Sequence, residues 1–77
     1  MMTATETLPG WYVVARDGHE ADHHVDGWGP FDSEADAVAF GIDLASDNGW
    51  SNISTLYTTQ KTAQDLTTKK AVNQPYK

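Results

Sequence analysis

Between Asp32 and Gly49 the chain carries, in one continuous run, both the signals that start a helix and the signals that stop one. Asp32 or Ser33 can serve as N-cap, accepting hydrogen bonds from the orphan N–H groups of the first turn. Glu34 and Asp36 sit where the macrodipole favours acids, and Asn48-Gly49 offers the left-handed residue that closes a helix. On both sides of this run the pattern turns to short β-branched and aromatic stretches. Trp11-Tyr12-Val13-Val14-Ala15 stops at the turn signal Arg16-Asp17-Gly18 and reads as a first strand. Asp22 to Trp28 reads as the returning arm of a hairpin that ends at Gly29-Pro30, and Ile53 to Thr59 alternates Ile, Thr and Tyr as a third strand. The order β-β-α-β predicts an α+β fold: a small antiparallel sheet with one helix packed on one face.

Charge divides the chain further. Residues 1–59 hold Arg16 as their only Lys or Arg against ten Asp and Glu, whereas residues 60–77 hold four Lys against Asp65. The expected organisation is therefore a flexible leader over 1–10, an acidic domain over 11–59, and a basic tail over 60–77 that is partly disordered or forms a short helix. With 77 residues one domain is the ceiling, and with no Cys neither disulfides nor thiolate metal sites can contribute. The start of the chain lacks the basic-then-apolar order of a secretion signal and no long apolar run follows, so a cytoplasmic protein without membrane contact is expected.

On a helical wheel with Asp32 at zero, Asp43, Asp36 and Asp47 fall at about 20°, 40° and 60°, one narrow acidic stripe. Ala35, Val38, Ile42 and Ala45 fall between about 220° and 300°, the face expected on the sheet. Phe40, Leu44 and Ala37 fall between about 80° and 140°, too far round to share that contact. A single helix also leaves the opposite sheet face bare. Phe40 and Leu44, edged by Asp32, Asp36, Asp43 and Asp47, are thus expected to form a partner-binding surface, with Trp11, Tyr12 and Trp28 as a second candidate surface. The cover could be the C-terminal tail, a second copy of the chain, or another protein with a basic or mixed basic-apolar surface.

Trp11-Tyr12-Val13-Val14 followed by Gly29-Pro30-Phe31-Asp32-Ser33 and the Ala35, Ala37, Ala39 helix resembles small uncharacterised single-domain β-β-α-β proteins of actinobacteria and their phages, over residues 11–59. The resemblance implies a fold and an origin, and it transfers no catalytic residue.

The chemistry available is sparse. His19, His23 and His24, among Asp17, Glu20, Asp22 and Asp26, are the only metal-ligand candidates, but side chains two apart on a strand stand nearly 7 Å apart and converge poorly on one ion. No metal and no cofactor is expected. The sequence has no Gly-x-Ser-x-Gly elbow and no phosphate-cradling loop, so an enzyme is not expected either. The acidic excess opposes direct nucleic-acid binding by the folded part, since phosphate affinity comes from Lys and Arg. The composition points to a small acidic, non-catalytic protein-binding module, in one variant presenting carboxylates where a basic protein expects phosphates; with the origin that the resemblance implies, the expectation is a phage or mobile-element product that inhibits or redirects a host protein. The alternatives are a self-associating accessory protein and a His/Asp metal-binding hairpin.

Overall fold

The computed structural model describes residues 9–16 and 25–75. Strand β1 runs Pro9–Ala15, β2 Asp26–Phe31, helix α1 Glu34–Asn48, β3 Ile53–Thr59 and helix α2 Gln60–Leu66. The sheet is antiparallel in the order β2-β1-β3, so the first strand is central and the other two are edges.

Strand β1 is buried on both of its faces. Tyr12, Val13, Val14 and Ala15 are each at most 1% exposed, which a strand reaches only when layers lie above and below it. On one side Val13 packs with Phe31 and Ala37, joined by Trp11, Trp28, Phe40, Leu44 and Ile53, under α1. On the other side lie α2 and the residues after it. Gly27 faces Val14 across the ladder, and a Cβ placed on Gly27 would come within 3.3 Å of Thr67 and Val72 side chains. The α+β class and the β-β-α-β order hold, but a second helix closes the face that one helix would have left bare.

Three local differences from expectation have physical causes. β2 does not stop at Gly29-Pro30, whose peptide is cis, but continues through it to Phe31, because a register irregularity opposite Trp11 to Val13 absorbs an extra residue there. Pro9 and Gly10 belong to β1 rather than to the leader, opposite Thr59 and Thr58. At residue 60 the expected boundary is a joint: Thr59 ends β3 and is also the N-cap of α2, its hydroxyl accepting from the Thr62 N–H at 3.2 Å. The buried Ala63 and Thr67 then tie the following segment to the sheet.

That segment is held by Thr67. Its hydroxyl accepts from the Ala71 N–H at 2.9 Å and reaches the Gln64 and Ala71 carbonyls at 2.8 and 2.9 Å, folding the chain back along β2. Lys70 takes the left-handed conformation in that turn, with φ 58°. Asn73 then docks in parallel beside Trp28: its N–H donates to the Gly27 carbonyl at 2.8 Å, and its carbonyl accepts from the Gly29 N–H at 3.1 Å. The Asn73 side-chain amide adds a 3.1 Å bond to the same Gly27 carbonyl, and the Val25 N–H donates to the Thr68 hydroxyl at 2.6 Å. The outer edge of β2 is closed by the chain itself.

Candidate interaction surface

Helix α1 begins and ends as its sequence demands. Ser33 accepts from the Asp36 N–H at 3.2 Å, and Gly49, at φ 69°, donates to the Ala45 carbonyl at 2.8 Å. Its rotational phase, however, differs from expectation. Phe40 and Leu44 are half-buried against the core with Ala37 and Gly41 buried beside them, whereas Val38 is 40% and Ile42 62% exposed. The cause is aromatic. Phe40 lies 5.2 Å from Phe31 and 5.7 Å from Trp28, centroid to centroid, and rings bury more area per residue than Val or Ile. Phe40 and Leu44 are therefore part of the packing, and the outward apolar face of α1 is the one expected to be inward.

The second expected surface also divides. Trp11 and Trp28 lie on the α1 side of the sheet, Trp11 against Tyr57 at 5.0 Å and Trp28 against Trp50 at 6.5 Å. Tyr12 points to the other side and is buried. That burial raises its phenol above the ordinary value of 10.0. Asp32, Asp36, Asp43 and Asp47 are all exposed; Asp36, Asp43 and Asp47 lie on α1, whereas Asp32 precedes the extended N-cap Ser33 and so stands off the helix. Beside them a shallow hollow of about 290 Å³ is lined by Phe31, Asp36, Phe40, Asp43 and Pro75. His19, His23 and His24 lie outside the described residues, and among the described residues no cluster of His, Asp and Glu could hold a metal. No helix among the described residues is long and apolar enough to cross a membrane.

The opposite flank of α1 has a different character. There α1 and β3 enclose a hollow of about 280 Å³ lined by Val38, Ile42, Ala45, Trp50, Ile53 and Thr55. β3, with the sequence Ile-Ser-Thr-Leu-Tyr-Thr-Thr, has no charged residue, no Pro and no Gly. Natural edge strands are ordinarily blunted by such residues, by bulges or by a covering segment. Among the described residues nothing pairs with its outer side.

The ladder also tells which backbone groups face outward. The Arg16 N–H donates to the Asn52 carbonyl at 2.9 Å, so Asn52 and, by the two-residue alternation, Ser54, Leu56 and Thr58 point their backbone groups at β1. Ile53, Thr55 and Tyr57 point theirs away from the sheet, as does the Thr59 N–H, while the Thr59 carbonyl accepts the first bond of α2. Pro9, which has no N–H to offer, stands opposite Thr59, where none is called for. The side chains of Ile53, Thr55 and Tyr57 lie on the α1 side, and Tyr57 is 60% exposed.

Comparison of the chain with family models, with curated proteins and with solved structures returned no significant match.

Proposed function

We propose that the chain is a non-catalytic interaction module that binds protein through the flank formed by β3 and the outward face of α1. One observation carries this reading: an uncharged, seven-residue edge strand with outward backbone groups runs beside exposed Val38, Ile42 and Tyr57. Such an edge accepts an added strand, with main-chain hydrogen bonds supplying affinity and the neighbouring apolar hollow supplying selectivity. The exposed Asp36, Asp43 and Asp47 are on the other flank of α1, with Asp32 just before its N-cap, where they can set the approach of a partner by their field while the uncharged flank makes the contact. A phage-encoded inhibitor of a host protein would act through the same surface, by occupying a strand edge or an apolar anchor site of its target.

The test is a random library of extended peptides selected against the full chain, followed by amide chemical-shift mapping of the peptides obtained. Shifts centred on residues 53–59 and on Ile42 are expected. Shifts centred on Asp36 and Asp43 would move the working surface to the acidic flank, and a library that yields no binder for a monomeric chain would defeat the reading.

A further inference from the structure

We propose that the β3 flank binds a second copy of this chain, whose own β3 pairs antiparallel about a two-fold axis at Leu56 to make one continuous six-stranded sheet. The proposal rests on the reading of this flank as an interaction surface and names its occupant. The two edges of the sheet are treated differently: residues 67–73 seal β2, and among the described residues nothing covers β3. Any partner that seals β3 must bring an unpaired strand edge of its own. A second copy brings one by construction.

The register follows from the outward groups. An axis at Leu56 sets Thr55 opposite Tyr57 of the other copy and Ile53 opposite Thr59, so the outward N–H groups of Thr55, Tyr57 and Thr59 and the carbonyls of Ile53, Thr55 and Tyr57 all meet partners, the Thr59 carbonyl being taken by α2. An axis one residue earlier, at Thr55, would leave the Thr59 N–H without a partner inside the strand and would set Tyr57 opposite Ile53. No charge meets a like charge anywhere along the pairing, because β3 carries none.

A two-fold axis perpendicular to the sheet keeps both α1 helices on one face. The exposed Tyr57 of each copy then stands beside Thr55 of the other, at the hollow lined by Val38 and Ile42. The contact occurs twice, as an isologous interface requires. A strand of seven residues is about 24 Å long, and three layers deep its footprint buries on the order of 500 Å² per copy, which brings the pair to the lower bound of a specific interface.

Charge separates this occupant from a basic one. Each copy carries a net −6, so two copies repel at a distance and their acidic stripes stay outside the contact. Self-association must therefore strengthen as salt rises, whereas binding of a basic partner must weaken.

The experiment is sedimentation of the full chain over a concentration series at low and high salt, with three variants. The wild type is expected at twice the 8.4 kDa chain mass, more completely at high salt. Tyr57→Lys places a charge on the edge and is expected to weaken the pair more than about tenfold while leaving the circular dichroism spectrum unchanged. Leu56→Cys, on the axis and in a protein with no other Cys, is expected to form an intermolecular disulfide on mild oxidation, and Thr58→Cys, which faces Ser54, is not. A single-chain mass at the highest concentration overturns the proposal, and so does a dimer in which Thr58→Cys cross-links and Leu56→Cys does not. If the chain is monomeric and selected peptides still add to β3, only the second copy falls. If neither occurs, the interaction-module reading falls with it.

Discussion

Gly29 shows how much of this fold hangs on single backbone positions. Its φ of 146° is a conformation that side chains rarely adopt, and a Cβ there would meet the Tyr12 ring at 2.5 Å and the Trp11 carbonyl at 3.0 Å. Gly29→Ala is expected to cost about 2 to 4 kcal/mol, read as a lowered midpoint in urea. The same Tyr12 sets an alkaline limit. Burial raises its phenol in the folded chain, so the unfolded chain releases that proton first; the stabilisation is complete below pH 10.0 and is lost as the pH climbs through the raised folded value. Tyr12→Phe is expected to flatten the fall of the unfolding midpoint between about pH 9 and about pH 11, measured by circular dichroism. A fall of unchanged steepness in the variant would place the alkaline sensitivity elsewhere.

Within helix α1 the decisive comparison is between two apolar arcs of similar strength. Phe40→Ala is expected to cost about 3 to 5 kcal/mol, and Ile42→Ala, at 62% exposure, less than about 1 kcal/mol. Thermal melts of the two variants side by side check the phase of the helix. Gly41 faces the sheet, yet a Cβ there would lie 3.4 Å from Ile53 and 3.8 Å from Val13, ordinary contact distances. Gly41→Ala should therefore recover helix propensity and raise stability by about 0.5 to 1 kcal/mol in a urea titration. The caps of α1, the strand Ile53–Thr59 and the run Trp11–Ala15 were legible in the sequence because each is set by neighbours in the chain. The phase of α1 was not, since Val38 with Ile42 and Phe40 with Leu44 are equally plausible stripes until Trp28 and Phe31 of β2 stand across from them. The buried small pair Ala37 and Gly41, four residues apart, was the available sign of which side approaches the sheet. The exposure of Asp36, Asp43 and Asp47 along α1 was readable from spacing, though Asp32 falls before the N-cap and off the helix, whereas the open edge of β3 depends on strand order, which no local pattern encodes.

At the scale of the molecule, the basic, Thr-rich stretch after Thr59 completes the architecture despite its tail-like composition. Thr67 is 3% exposed, and it and Val72 pack over Gly27, so removal of everything after Leu66 should strip the β2 edge and uncover part of the second sheet face. Loss of cooperative thermal unfolding in that truncated chain is expected; a sharp transition near the full-length midpoint would show that the closing segment is dispensable. Composition misleads here because one buried hydroxyl and one Asn do the closing, and neither adds to an apolar count. The bonds that shut the structure join Val25 to Thr68 and Gly27 to Asn73, 43 and 46 residues apart. During synthesis on the ribosome, β1 and β2 emerge early, but the Tyr12 and Val14 side of the central strand stays wet until the residues up to 73 have left the exit tunnel. Until then an apolar sheet face is open to chaperones, proteases and neighbouring nascent chains, so the first strand to be made is among the last to be sheltered.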